Sequence, residues 1–258
     1  MMKMVWLSAL VKAEDVVKKL ILQLKPYGLG ANGHFWEDDL DKMAWIGPRK
    51  ELLDGDTSLW GILGSADNFQ EPTVRYGLSL LATTLQAQKG HEFPILILLT
   101  EGSLEPETLP TPLRNSTVIA LTDPGLGAKL VALVHRPPAE NRPEYRLDVY
   151  GNAQIGQWFE VGPVEGTWSG AMFGVSDGDI TFQAVGPKGS LPSQSTLNYP
   201  MQGLKMNLGD REFTAWAVKN QIEPAASYFV KVEGQPERIL FGPFSDEDQT
   251  DVFVVDLK

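Results

Sequence analysis

Strand-like and helix-like segments alternate through the first 135 residues of this chain, and beyond them the helical spacing of apolar residues disappears. In the first part, short apolar runs at 5–8, 58–63 and 93–99 are separated by stretches whose apolar residues recur at helical spacing. Alternation of this kind predicts a parallel sheet covered by helices on both faces. We therefore expect residues 1–136 to form a doubly wound α/β domain with a five-stranded parallel sheet.

The second part of the chain has a strand-like pattern. Residues 137–143 contain three prolines and predict a linker, after which nine short β-rich runs recur between residues 145 and 257. Turn-forming residues separate the runs, for example at 176–179 and 233–236. This pattern predicts an antiparallel β-sandwich or barrel over residues 144–258.

Alternation within the run at 179–185 predicts which of its side chains are buried. Ile180, Phe182 and Ala184 alternate there with the polar residues Thr181 and Gln183. Because successive side chains of a strand point to opposite faces, we expect the three apolar side chains to face the core together.

Composition excludes several classes of function. The chain has no cysteine, so disulfides and thiolate metal sites are excluded, and its three histidines show no ligand spacing. A net charge of −11 without a basic stripe disfavours nucleic acid and anionic membranes as partners. With no signal-peptide pattern at its start and no apolar run of membrane-spanning length, the chain is expected to be cytoplasmic, with neither metal nor cofactor.

Polar residues follow the predicted strands of the first domain. Ligands of open parallel sheets bind beyond the carboxyl ends of the strands, so these residues form the expected rim of a binding site. The rim residues are Ser8, Glu37, Asp38, Ser65, Asn68 and Glu101.

A series of short segments follows a fixed order along residues 4–135: Val5-Trp6-Leu7-Ser8, the helix with Glu14-Asp15, Trp36-Glu37-Asp38, Trp45-Ile46-Gly47, the stretch from Leu52 to Ser65 that ends in serine, Asn68-Phe69 and Pro94-Ile95-Leu96-Ile97. In the order and spacing of these segments, residues 4–135 resemble a Toll/interleukin-receptor (TIR) domain. A flavodoxin-like or receiver-like domain shares much of the same layout.

One position departs from the enzymatic members of that family. In them a serine, a tryptophan and a catalytic glutamate are spaced along the helix after the third strand, and the corresponding residues here are Pro72, Val74 and Leu78. Leu78 belongs to an apolar stripe at helical spacing, which predicts that it is a core residue. A leucine can neither transfer a proton nor stabilise an oxocarbenium-like transition state. The nearest carboxylate, Glu71, lies about two helical turns away.

The resemblance and its departure lead to a hypothesis of a non-enzymatic adaptor or sensor, in which a degenerate TIR-like domain binds a protein or a small nucleotide. The alternative is an NAD or nucleotide glycohydrolase that uses Glu71 or the cluster Glu37/Asp38/Asp39 as its catalytic carboxylate. A receiver-type domain is disfavoured, because the third strand ends in Gly64-Ser65 where a receiver carries its aspartate. Homo-oligomerisation stays open.

Overall fold

Two sheets of different kinds make up the protein. The computed structural model describes residues 3–137, 143–244 and 251–258, and the chain divides into two compact units, residues 1–140 and 141–258. The first unit contains a five-stranded parallel sheet and the second a seven-stranded antiparallel sheet, which confirms the predicted α/β and all-β classes. The predicted linker falls mainly on residues 138–142, which lie outside the described ranges.

The first unit alternates strands and helices along the chain. Its sheet has the order β2-β1-β3-β4-β5, with every pair parallel, which is the order of flavodoxin-like folds. Its elements are β1 (Met4–Ala9), α1 (Glu14–Leu24), β2 (Gly30–Phe35), α2 (Arg49–Leu53), β3 (Thr57–Gly64), α3 (Pro72–Lys89), β4 (Ile95–Leu99), β5 (Thr117–Ala120) and α4 (Leu126–Val134).

Helices cover both faces of this sheet. The chain moves outward from β1 to β2 and in the opposite direction from β3 to β4, so right-handed crossovers put α1 and α3 on opposite faces. Leucines of α1 and α4, such as Leu20, Leu24 and Leu130, pack in one cluster with Leu7 of β1 and Leu96 of β4. None of the helices in the described ranges is both long and apolar enough to cross a bilayer.

Strand β2 begins earlier than the predicted segment 34–36. Gly28, in the left-handed conformation with φ of 73°, ends the turn that follows α1. Gly30 to Gly33 then pair in register with Met4 to Leu7 of β1. The first part of this strand was not predicted, because its glycines have no side chains and so give no alternating pattern from which a strand is predicted.

The second unit is built around two long strands. Its sheet has the order β6-β7-β11-β8-β10-β9, and β12 pairs with the other half of β11. Its elements are β6 (Tyr145–Asn152), β7 (Gly156–Pro163), β8 (Ala171–Pro187), β9 (Met201–Leu208), β10 (Arg211–Val218), β11 (Ala226–Pro243) and β12 (Phe253–Asp256).

The turns predicted at 176–179 and 233–236 are bends inside β8 and β11, so that prediction was wrong. Gly178 pairs with Gly234, and the register shifts between Gly234 and Arg238. Asp177 and Gly234 have positive φ values of 53° and 83°. Residues that allow a turn also allow a bulge, so both strands bend at the same level and continue. The two predicted runs on either side of each bend therefore belong to one continuous strand.

The bends fold the sheet over an aromatic interior. Phe159 of β7 lies with its ring centroid 5.2 Å from that of Phe173 in the first half of β8. Tyr145 of β6 lies 4.5 Å from Phe253 of β12. Since these pairs join strands that are not neighbours in the sheet, the two halves of the sheet face each other as the layers of a sandwich.

The predicted orientation of Phe182 was also wrong. Phe182 is 56% exposed, whereas Gln183 is 4% exposed. Lys231 pairs with Phe182 and Val232 with Ile180, which leaves Thr181 as an extra residue in a bulge. One extra residue inverts the alternation beyond it, so Phe182 lies on the outer face against Trp158, with ring centroids 5.8 Å apart.

Candidate functional site

The topology of the first unit selects one place for a ligand, at the carboxyl ends of β1 and β3. The chain leaves β1 towards one side of the sheet and β3 towards the other, so the loops that follow these two strands diverge. Doubly wound sheets bind their ligands in the crevice formed at such a point.

The side chains of this chain occupy the space directly above that point. Leu10 donates its backbone N–H to the carbonyl of Leu63 over 2.8 Å. A Cβ on Gly64 would lie 2.9 Å from Cδ1 of Leu10 and 3.1 Å from Oδ1 of Asn68. The glycine at the end of β3 therefore lets the loops after β1 and β3 pack closely over the sheet.

Ser65 and Asn68, two of the predicted rim residues, bind each other. Oδ1 of Asn68 accepts hydrogen bonds from the backbone N–H of Ser65 over 2.9 Å and from its hydroxyl over 3.1 Å. The next loop is joined to this one, because the N–H of Ala66 donates to the carbonyl of Glu101 over 2.9 Å. The side chain of Glu101 remains exposed at the rim.

Ser8 lies inside the sheet and not at its rim. It is fully buried in β1, and its Oγ accepts a hydrogen bond of 2.9 Å from Nε1 of Trp60 in β3. The indole N–H needs such a partner when it is buried. The position of Ser8 thus accounts for the burial of a large aromatic residue in the sheet.

The acidic loop after β2 contains carboxylates in three different surroundings. Glu37 is exposed, whereas Asp38 accepts a 2.6 Å hydrogen bond from the hydroxyl of Thr73 in the first turn of α3. Asp39 is paired with Lys42, whose Nζ lies 2.6 Å from its Oδ2. The hydrogen bonds from Lys42 hold the pKa of Asp39 below its usual value. Of the three, Asp38 is hydrogen-bonded to α3, the helix that contains Leu78.

Glu71 and Leu78 lie in different surroundings on helix α3, one just before its first residue and one within it. Glu71 is the exposed residue immediately before the helix, and its side chain makes no capping hydrogen bond. Leu78 has no exposed surface and lies in the continuous buried segment 76–85. The Glu71 carboxylate is therefore exposed to solvent, whereas Leu78 lies in the core.

A cluster around His34 was missed in the sequence. Nε1 of Trp6 donates to Nδ1 of His34 over 3.1 Å, so the neutral imidazole carries its proton on Nε2. The rings of Trp6 and Trp36 lie 6.0 Å and 6.3 Å from that of His34. Among the described residues, neither Nε2 of His34 nor Nε1 of Trp36 has a hydrogen-bond partner, although both atoms are buried. The sequence signal for this cluster is the strand-like spacing of His34 and Trp36.

Acid is expected to destabilise the first unit through His34. Burial lowers the pKa of His34 from 6.5 to about 4, and the nearby charge of Glu51 opposes this only in part. The unfolded chain therefore binds a proton on His34 more tightly than the folded chain does. The stability that neutral His34 contributes is complete above the pKa of His34 in the unfolded chain. It is lost as the pH falls towards the pKa of His34 in the folded chain. Between about pH 7 and pH 5 the loss is about 2 kcal/mol.

Urea unfolding of the wild type and of His34→Gln at both pH values measures this effect. Glutamine keeps an acceptor for Trp6 but does not titrate, so His34→Gln should lose the part of the pH dependence that His34 contributes. His91, whose pKa burial also lowers, keeps its own part. His135→Gln, at an exposed position, serves as the control and should behave as the wild type. An unchanged pH dependence in His34→Gln would contradict the assignment.

Comparisons with known proteins do not identify the chain. No protein-family model matches the sequence, and no curated protein matches it. Within the described ranges, no group of three or more acidic or histidine side chains is arranged to hold a metal ion. Fold and site together define a two-unit protein with a flavodoxin-like parallel sheet and an antiparallel β unit.

Proposed function

We propose that this protein is a non-enzymatic adaptor or sensor, whose first unit is a TIR-like domain that lacks the catalytic glutamate. The observation that carries the proposal is the complete burial of Leu78 in α3. Hydrolysis of a glycosidic bond needs a carboxylate beside the reacting carbon, and a core leucine provides none.

The charge of the rim favours one kind of partner. Glu37, Asp38, Glu71 and Glu101 are all exposed around the carboxyl end of the sheet, and the chain as a whole carries a net charge of −11. Complementary charge accelerates association and selects between partners. A protein with a basic surface therefore fits this rim better than a nucleotide phosphate does, and the β unit provides a second surface for binding.

The hydrogen bond between Asp38 and Thr73 supports the second candidate, an NAD or nucleotide glycohydrolase. It holds the carboxylate of Asp38 against the first turn of α3. Thr73, the donor, is two residues after Glu71 in the chain. In this alternative, Asp38 or Glu71 takes the role that the glutamate has in enzymatic TIR domains.

Nicotinamide release from NAD⁺ separates the two candidates. We expect no release from the full chain, nor from Glu71→Ala, Asp38→Asn or the control Glu223→Gln at an exposed position, while an active glycohydrolase assayed in parallel releases nicotinamide. Release by the wild type that is lost in Glu71→Ala or Asp38→Asn, and kept in Glu223→Gln, would replace the adaptor with the enzyme. The wild-type protein also serves as bait in a pull-down for protein partners. A captured partner whose binding maps to neither of the two units would also contradict the proposal.

A further inference from the structure

A cavity of about 260 Å³ lies at the opposite edge of the first unit's sheet. The residues Phe93 and Pro94 before β4 line it on one side, and Ser116 before β5 lines it on another. Leu133 and Arg136, near the end of α4, also line it. This edge holds the amino-terminal ends of the strands, so the cavity is distinct from the rim on which the proposed adaptor function rests.

Ser116 carries the first sign that the cavity holds a ligand. Its side chain is only 7% exposed, and its Oγ has no hydrogen-bond partner among the described residues. A buried hydroxyl without a partner is unfavourable, and native proteins therefore rarely contain one. A polar ligand in the cavity would supply the missing partner.

The charges of the lining have both signs. Arg136 and Glu92 both line the cavity, yet they form no ion pair with each other. Gln86 donates its Nε2 to the carbonyl of Pro112 over 2.7 Å, which leaves its Oε1 as an acceptor. Burial lowers the pKa of His91, so this lining histidine is neutral near pH 7. The cavity thus combines one cation, one anion and neutral polar groups.

We propose that this cavity binds a small zwitterion of the amino-acid type. Arg136 and the hydroxyl of Ser116 donate to the carboxylate of the ligand, and Glu92 with Oε1 of Gln86 accepts from its ammonium group. The apolar side chains of Phe93 and Leu133 contact the remainder of the ligand. Neither a simple anion nor a simple cation satisfies both charges of this lining, whereas a zwitterion does.

Calorimetric titration of the full chain tests the ligand class. The probes are neutral amino acids including L-leucine, together with 4-methylpentanoate and 3-methylbutylamine, which correspond to leucine without its ammonium or its carboxylate. We expect at least one amino acid to bind and each single-charge analogue of leucine to bind about tenfold more weakly than leucine or not at all. Binding of no amino acid, or equal binding of 4-methylpentanoate and leucine, would overturn the proposal.

Three variants test the residues. Ser116→Ala should weaken binding of the amino acid about tenfold without lowering the stability of the ligand-free chain, because it removes a hydroxyl that has no partner among the described residues. Arg136→Gln, at an exposed position, should weaken binding by a similar factor of about ten and keep the fold. Lys19→Gln, an exposed charge on α1, is the control and should bind as the wild type. Unchanged affinity in Arg136→Gln would refute the assignment even if Ser116→Ala failed to fold.

Discussion

Replacing Glu160 with alanine is expected to lower the free energy of unfolding of the second unit by about 3–5 kcal/mol. Glu160 is 3% exposed on β7, and its carboxylate is surrounded by donors. Oε1 accepts from the hydroxyl of Ser227 over 2.6 Å and from the N–H of Gly189 over 2.9 Å. Oε2 accepts from the hydroxyl of Tyr150, and Nη1 of Arg146 lies 3.5 Å from Oε1.

The size of the effect follows from what the substitution leaves behind. Without Glu160, the guanidinium of Arg146 stays largely buried and loses the ion pair that the described residues give it, and three hydrogen-bond donors lose their acceptor. Removing one partner of a buried ion pair lowers the free energy of unfolding strongly, because the charge of the other partner stays buried without water or an opposite charge beside it. A double replacement of Arg146 and Glu160 by methionine should therefore be less harmful than Glu160→Ala alone.

Urea unfolding measures the change, and hydrogen exchange of amides in residues 143–244 assigns the transition to the second unit. Glu212→Ala is the control, because Glu212 is also paired with a cation, Lys205, but its side chain is 65% exposed. We expect that control to change stability by less than about 1 kcal/mol. Equal losses of unfolding free energy in Glu160→Ala and Glu212→Ala would contradict the prediction, because burial of Glu160 would then add nothing to its contribution to stability.

Leu78→Glu is expected to unfold the first unit rather than create a glycohydrolase. The residue has no exposed surface, and its neighbours from 76 to 85 are all buried. Loss of the leucine side chain alone costs about 2–5 kcal/mol, and an unpaired carboxylate in the same place adds a desolvation cost. The sum is comparable to the whole stability of a domain, about 5–15 kcal/mol.

Circular dichroism and urea unfolding report the fold of Leu78→Glu, and nicotinamide release reports its activity. Ala87→Glu introduces the same charge at an exposed position of α3 and should leave the fold intact. A folded Leu78→Glu protein that hydrolyses NAD⁺ would contradict the core assignment, since the position would then open into a pocket that accepts a carboxylate.

Periodicity in the sequence was sufficient to predict both classes of sheet. The predicted strand at 58–63 is part of β3, the helix predicted at 73–89 is α3, and the stripe that contains Val74 and Leu78 is buried. These predictions succeed because the side of an element that faces the core sets the spacing of its apolar residues, and that spacing is local.

The bends of β8 and β11 show where local signals stop being sufficient. Asp177 and Gly234 carry the positive φ values that turns need, and in the sequence they are typical of hairpin ends. Whether the chain reverses or continues at such residues depends on the strand opposite, and here Gly178 and Gly234 bend together. The single extra residue Thr181 then decides that Phe182 is exposed and Gln183 buried.

The sequence by itself determined the fold classes, the absence of cysteine chemistry, the acidic charge and the core position of Leu78. Only the tertiary structure placed Ser8 under Trp60, 52 residues away, and His34 against Trp6, 28 residues away. It also placed Ser116 in a cavity with Gln86 and Arg136. The physical reason is that such contacts depend on strand order and register, which arise from packing across the whole sheet and leave no local periodic signal.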